Sequence, residues 1–140
     1  MTRPPAWRFA GIFIVLGLAV AACSPASDQP SAEQALCDAL ATFGDSVQAI
    51  ADTDPATDSV EDIQAAADAA TEAWGGVQTA VAAVDEADDT AVDAAWSDLA
   101  DQIGNFATDV PVADAVDQIS GGVDEVQAAY DEMRDGLGCQ

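Results

Sequence analysis

Apolar residues between positions 31 and 140 recur at alternating spacings of three and four along four consecutive segments. This is the period of an amphipathic helix, whereas a strand would place an apolar residue at every second position. An unbroken three-and-four alternation also suits the left-handed packing of helical bundles. The four series are Leu36, Leu40, Phe43, Val47 and Ile50; Val60, Ile63, Ala67, Ala70, Trp74, Val77, Val81 and Val84; Val92, Trp96, Leu99, Ile103, Phe106 and Val110; and Val112, Val116, Ile119, Val123, Val126, Tyr130, Met133 and Leu137.

Helix start and stop signals separate these segments. Ser31 with Gln34, and Asp58 with Glu61, have the spacing of helix capping boxes. The remaining signals are Thr90 as an N-cap, Pro111 in a first turn, and breaks at Asp54-Pro55, Asp85–Asp89, Gly104-Asn105, Gly136 and Gly138. Connections this short join antiparallel neighbours. The sequence therefore predicts an all-α domain over residues 31–140, an antiparallel up-down-up-down four-helix bundle.

The N-terminal region has a different pattern. Residues 1–8 carry two arginines and no acid, residues 9–19 form an apolar run, and small residues come next. This order is typical of a secretory signal, and the run is short for a permanent membrane span. The next four residues, Val20-Ala21-Ala22-Cys23, resemble the lipobox of bacterial lipoproteins.

The resemblance covers the first 23 residues and implies a processing event. In this class the signal, here residues 1–22, is removed, and the cysteine, here Cys23, receives a diacylglyceryl group. Acyl chains hold a protein to a bilayer because each buried CH₂ contributes about 0.8 kcal/mol. Residues 23–30 would then be a lipidated cysteine and a flexible polar tether, with the domain on the extracytoplasmic face of the cell membrane. The lack of lysine and the wealth of alanine and aspartate are similar to small secreted lipoproteins of actinobacteria.

Two cysteines remain once Cys23 is assigned to lipid. Cys37 lies near the start of the first predicted helix, and Cys139 lies just beyond the end of the fourth. Those two ends are neighbours in an up-down-up-down bundle, and paired cysteines outside the cytoplasm usually form a disulfide. We therefore predict a Cys37–Cys139 disulfide; a reactive thiol is disfavoured because the cysteines lack Cys-x-x-Cys spacing and have no basic neighbour to favour the thiolate.

The charge balance excludes several classes of partner. The sequence has 26 acids, three arginines and no lysine. After removal of the signal only Arg134 remains, so one arginine against 26 acids gives a formal charge of −25. Nucleic-acid binding and electrostatic docking to anionic lipids both require basic residues, so neither is expected. Solubility, adaptation to salt, and attraction of cations or a basic partner all remain explanations of the acidity.

Residues that would carry enzyme chemistry are scarce. The chain has no histidine, no lysine, no P-loop and no Gly-x-Gly-x-x-Gly motif. The acidic stretches, Asp52 to Asp58 and Asp85 to Asp89, lack the spacing and glycine of an EF-hand. We therefore expect no catalytic site, no cofactor and no defined metal site.

Paired glycines occur at two similar places, Gly75-Gly76 and Gly121-Gly122. Glycine within a helix costs about 1 kcal/mol relative to alanine, so close helix packing, a helix break and a ligand crevice are three possible reasons. The segments around them, 68–89 and 114–135, align without a gap, which raises the hypothesis of a duplicated helical hairpin.

The predicted topology also suggests where a partner would bind. The tether and the disulfide mark one end of the bundle, and two loops lie at the other end. The candidate partner-binding residues in those loops are Asp52, Asp54, Asp58, Asn105, Phe106 and Asp109. The sequence favours a membrane-anchored helical interaction module that binds an envelope protein or a wall component, with a cation-binding or small-ligand-binding lipoprotein as the alternative.

Overall fold

The computed structural model describes residues 31–140; the predicted signal, Cys23 and the tether lie outside the described residues. No strand occurs in residues 31–140, which fold into α1 (Ala32–Ala51), α2 (Val60–Val81), α3 (Thr90–Gly104) and α4 (Val112–Leu137). Each helix packs against the next along the chain, and α1 also packs against α4. Short connections make successive helices antiparallel. The predicted all-α four-helix bundle is confirmed.

The core consists of one apolar stripe from each helix. An aromatic cluster lies at its centre, where the Phe43 ring stands 5.0 Å from the Trp74 ring and 5.5 Å from the Trp96 ring between centroids. Within residues 31–140 no polar or charged side chain is buried. Burial of apolar surface, at about 25 cal/mol per Å², is therefore the main favourable contribution to folding.

One polar contact links α2 to α3 at the edge of this core. The Trp74 indole Nε1 donates to Asp93 Oδ1 at 2.9 Å, and Gln78 Nε2 donates to the same oxygen at 3.0 Å. The Asp93 acceptor matters because burial removes the indole N–H from water. A buried N–H without another acceptor would destabilise the fold. Asp93 thus allows Trp74 to lie in the core with its polar atom satisfied.

The third helix is shorter than its apolar series predicts. It ends at Gly104, and the Asn105 side chain donates through Nδ2 to the Asp101 carbonyl oxygen at 2.6 Å. Glycine and asparagine both favour the end of a helix, the first through backbone freedom and the second through side-chain hydrogen bonds. Phe106 and Val110 continue the apolar pattern from a loop, and both are half-buried against the core.

The cap predicted for the second helix is wrong by one residue. Ser59 is the N-cap, because its Oγ accepts from the Asp62 backbone N–H at 3.3 Å while Asp62 Oδ2 accepts from the Ser59 N–H at 2.8 Å. Asp58 instead accepts from the Asp54 N–H at 2.8 Å. The capping box thus begins one position later than predicted, so the connecting loop has one more residue.

The other helix starts lie at the predicted residue or one residue away from it. Ser31 caps α1 and accepts from the Gln34 N–H at 3.2 Å. Thr90 is the first residue of α3 and follows Asp89 at the cap position, whereas Pro111 occupies the cap position of α4 and precedes its first turn. Both lie within one residue of the predicted place, which is the usual uncertainty of a helix boundary.

The paired glycines have different surroundings. Gly75 and Gly76 are exposed within the continuous helix α2, and a Cβ at either position would meet no atom within 4 Å. Close packing and a helix break are therefore wrong as explanations of this pair. A Cβ at Gly122 would lie 3.1 Å from Leu99 Cδ1, so close packing between α3 and α4 explains this glycine, but Gly121 has open space.

Burial agrees with the duplicated-hairpin hypothesis at some positions and differs at others. In the proposed alignment the buried Trp74 pairs with the exposed Ser120, and the buried Ala70 pairs with the half-buried Val116. The segment 68–89 also extends past the end of α2, whereas 114–135 lies wholly within α4. Other positions do correspond, since Val77 and Val123 are both buried and Val84 and Tyr130 are both half-buried.

Gly76→Ala is expected to stabilise the protein by about 1 kcal/mol, because alanine restricts the unfolded chain and favours the helix while its methyl group meets open space. Urea denaturation monitored by circular dichroism would measure the change. Gly122→Ala is the matched control, and its gain should be reduced or reversed by the contact with Leu99. Equal stabilisation by both substitutions would contradict the assigned packing difference.

Candidate functional site

The proximal end of the bundle is defined by Ser31, the α2–α3 loop at 82–89, and the disulfide. Cys37 and Cys139 are bonded as predicted, with their Cα atoms 5.5 Å apart. Gly138 adopts a left-handed backbone with φ of 68°, which turns the chain after α4 and lets Cys139 reach α1. Ser31 and Asp85 line one surface depression, so the chain enters the domain at this same end.

The distal end of the bundle is defined by the α1–α2 loop at 52–59 and the α3–α4 loop at 105–111. Helices α1 and α3 both run away from the proximal end, so the loops after them lie together at the opposite one. The sequence-predicted partner-binding residues all lie in these two loops: Asp52, Asp54, Asp58, Asn105, Phe106 and Asp109.

The acids of the α1–α2 loop are engaged in the loop itself. Asp54 Oδ1 accepts from the Ala56 N–H at 2.9 Å, and Asp58 Oδ2 accepts from the Asp54 N–H at 2.8 Å. Asp52 Oδ1 accepts from Gln48 Nε2 at 2.9 Å. Side chains that bond to nearby backbone in this way fix a turn. The loop therefore presents its negative charge from a defined conformation.

The α3–α4 loop and the first residue of α4 contribute apolar surface at the same end of the bundle. Phe106, Val110 and Val112 are half-buried, so each packs on the core with one side and faces solvent with the other. We call these three residues the distal patch. Asp109 lies between Phe106 and Val110 in the sequence and is exposed, and the Asn105 side chain ends α3.

The carboxylates of the described region do not converge on a metal. Within residues 31–140 no group of three or more acids or cysteines is close enough to hold an ion. Ca²⁺ requires six to eight oxygen ligands, which exposed and dispersed acids do not supply.

Two acids at helix starts have altered pKa values. The Ser59 hydroxyl lowers the pKa of Asp62 most, followed by the Ser59 backbone N–H. For Asp88, the Thr90 hydroxyl lowers the pKa most, followed by the Thr90 backbone N–H. A lowered folded-state pKa means that each carboxylate stabilises its helix start above the unfolded-state pKa. That contribution is lost as the pH falls through the folded-state value. These acids have a structural role.

A second candidate site, which the sequence did not predict, is a groove between α1 and α4. Its cavity of about 300 Å³ includes Phe43, Gly44 and Asp45 from α1 and Val126, Tyr130 and Asp131 from α4 among its lining residues. We call it the α1–α4 groove. A Cβ at Gly44 would lie 2.6 Å from Tyr130 Oη, so the glycine is what lets the tyrosine ring cross α1 here. The feature of the sequence that could have indicated this contact is a lone glycine, Gly44, in the middle of α1.

The charges around Tyr130 indicate which groups face the groove. Burial raises the pKa of the Tyr130 phenol, the Arg134 guanidinium opposes that shift, and the carboxylates of Asp131 and Asp45 add to it. The Arg134 guanidinium carbon stands 5.4 Å from the centre of the Tyr130 ring, a cation–π distance. Two carboxylates from two different helices therefore lie near one phenol.

Gly44→Ala is expected to destabilise the protein by about 1 kcal/mol, because the methyl group would push the Tyr130 ring out of its half-buried position. In a Tyr130→Ala background the same change should stabilise by about 1 kcal/mol, the ordinary helix preference of alanine. Urea denaturation of the four proteins in this double-mutant cycle would measure the coupling. Gly44→Ala effects of the same sign and size in both backgrounds would contradict the assigned contact.

Within residues 31–140, no helix combines the length and the apolar character that a membrane span requires. No protein-family model, no curated protein and no solved structure matches this chain.

Proposed function

We propose that this chain is a lipoprotein anchored by lipid on Cys23 to the extracytoplasmic face of the cell membrane. Its helical bundle would be an interaction module that binds an envelope protein or a wall component through the distal end. The observation that carries this proposal is the difference between the two ends, since the chain enters at one and the distal patch lies at the other.

The lipobox-like residues before Cys23 and the dimensions of the tether and the bundle support the anchor. Residues 24–30 reach at most about 25 Å when fully extended. The proximal end would therefore stay close to the bilayer. The 26 residues of α4 span about 39 Å, which would hold the distal end well beyond the lipid head groups. The distal end would then be the part of the domain most accessible to envelope components.

The distal patch supports binding of a macromolecule. Phe106 and the two valines give a small apolar centre, and the carboxylates of Asp54 and Asp109 lie in the loops at the same end. An apolar centre with a charged rim is the usual arrangement of a protein interface. The partner would accordingly offer an apolar pocket surrounded by lysine or arginine, because complementary charge speeds and orients encounter.

Cross-linked co-purification from the native envelope would test the partner. We expect one stoichiometric partner with the wild-type chain and its loss with the double variant Phe106→Ala/Asp109→Asn. Asp98→Asn is the matched control, because this exposed acid lies on α3 away from both loops and its replacement removes one charge. Absence of any partner, or equal capture by the double variant, would overturn the distal-end proposal.

The anchor has a separate test. Wild-type chain should sediment with membranes and resist extraction by high salt, while Cys23→Ala should not acquire lipid. Intact-mass spectrometry of the purified wild-type chain should show cleavage before Cys23 and the added mass of acyl chains. An unmodified Cys23 in protein from the native host would refute the lipid anchor. The binding of a partner through the distal patch would still be tested by the co-purification experiment.

The alternative is a lipoprotein that binds a cation or a small ligand. The α1–α4 groove favours it, because it combines a cavity of about 300 Å³ with carboxylates from two helices. The lack of a three-ligand metal cluster within residues 31–140 directs this alternative toward an organic ligand.

A further inference from the structure

We propose that the α1–α4 groove binds a small organic cation, a protonated amine carried on a compact apolar body. This site is on the side of the bundle, so the proposal stands independently of the lipid anchor and of the distal patch. Three observations carry it: the shape of the groove, its two carboxylates, and the charge of the surrounding surface.

The groove lies over the contact of two helices. Phe43 and Val47 from α1 and Val126 from α4 are buried beneath it, and the half-buried Tyr130 ring is the apolar surface that a ligand would contact. The cavity volume of about 300 Å³ is at the lower limit of small-ligand sites. It suits a body the size of one aromatic ring with a short chain. The groove is open along one side, so a ligand can enter without movement of the helices.

The carboxylates stand where the charged end of such a ligand would lie. Asp45 projects from α1 and Asp131 from α4, and both line the groove. Both carboxylates also raise the pKa of the Tyr130 phenol, because a nearby negative charge disfavours the phenolate. Within residues 31–140 neither carboxylate accepts a hydrogen bond from another residue, whereas Asp54, Asp58, Asp62 and Asp93 all do. Both side chains are exposed, so a ligand would compete only with water for these acceptors.

An ammonium group matches these acceptors in number. It has three N–H donors, and a carboxylate accepts at two oxygens. Asp45 and Asp131 would each receive one bond, and Gln127, which lines the same groove, would supply its side-chain oxygen as a third acceptor. A divalent metal is a poorer fit, because no group of three acidic or thiol ligands forms within residues 31–140.

The surrounding field favours a cation and disfavours an anion. Arg134 stands over the Tyr130 ring, and its single charge against the two carboxylates that line the groove leaves a formal charge of −1 there. Over the whole chain 26 acids face three basic residues, and a surface of one sign concentrates ligands of the other sign. A neutral compound with the same apolar body would gain from contact with the Tyr130 ring alone, and an anion would be repelled.

A titration with three matched probes would test the proposal. The probes are 2-phenylethylamine, neutral 2-phenylethanol and anionic phenylacetate, each added to the full chain in detergent at fixed ionic strength and pH 7. We expect the amine to give saturable NMR shifts at the Gly44 amide and the Tyr130 ring. The alcohol should bind at least tenfold more weakly, and phenylacetate should cause no saturable shift.

Paired variants separate the groove from the general acidity of the surface. Asp45→Asn/Asp131→Asn should weaken amine binding at least tenfold. Asp98→Asn/Asp117→Asn removes the same charge from positions that do not line the groove, and it should keep the affinity within twofold. Equal weakening by both pairs would overturn the proposal in favour of diffuse cation attraction. Equal binding of amine and alcohol, or no saturable amine shift, would overturn it as well.

Discussion

Replacement of Cys37 and Cys139 by alanine lowers the free energy of unfolding by about 4 to 5 kcal/mol; this is the largest effect that we expect from any change. The disulfide joins residues separated by 102 positions, so it removes much of the conformational freedom of the unfolded chain. Small domains have a total stability of about 5–15 kcal/mol. Loss of this bond would therefore remove a large part of the stability.

Urea denaturation monitored by circular dichroism at 222 nm would measure the loss, and the denaturant slope should rise because the unfolded chain becomes more expanded. Reduced wild-type protein is the control and should match the double variant. A loss below about 1 kcal/mol would mean that the unfolded chain remains compact without the bond. Retained helical content in dilute buffer would show that the apolar core still folds the chain.

The second large effect concerns Phe43. Its substitution by alanine is expected to lower the free energy of unfolding by about 3–5 kcal/mol. A fully buried ring would be lost from the centre of the aromatic cluster, and a cavity would remain. Near-ultraviolet circular dichroism should also weaken, since the surroundings of Trp74 and Trp96 would become less ordered. Thermal unfolding would give the change in stability.

Phe106→Ala is the matched control for this prediction. It removes the same side chain from a half-buried position in the α3–α4 loop, so a loss of only about 1 kcal/mol is expected. If the two substitutions lowered the free energy of unfolding equally, Phe43 would not have the central place in the core that the structure gives it. If Phe106→Ala cost more, the distal loop would contribute more to the core than its half-burial indicates.

The apolar pattern is enough to predict the four helices and the disulfide. Spacing alone assigns Leu36, Leu40 and Phe43 to a buried seam, and all three are fully buried. The spacing works because the face of a helix that lies against its neighbours must follow the helical period. The Cys37–Cys139 pairing results from the order of the helices, since the topology brings those two ends together.

The pattern fails where side chains outside a helix fill the core. Phe106 and Val110 keep the helical spacing but belong to a loop, because Gly104 and Asn105 end α3 first. Spacing records which side chains are apolar, and it does not distinguish a continuing helix from a loop that folds back over its end. The cap at Ser59 is missed for a related reason: Asp58 and Ser59 are both good caps, and local sequence does not choose between them.

The α1–α4 groove could not be predicted because it depends on a contact between distant residues. Gly44 and Tyr130 each have an ordinary explanation in the sequence, a tolerated glycine and a core aromatic. Only the packing of α1 on α4 brings them together and leaves a cavity beside them. The placement of Asp45 and Asp131 on its two walls results from the same packing.

The disulfide also has a mechanical consequence. It closes residues 37–139 into a covalent ring, so tension applied from the N-terminal side can unwind α1 only as far as Cys37. Beyond that point the load divides between α1 and α4, which leave the linkage side by side toward the distal end. A pull between the tether and a distally bound partner would stretch two helices in parallel, each bearing part of the force.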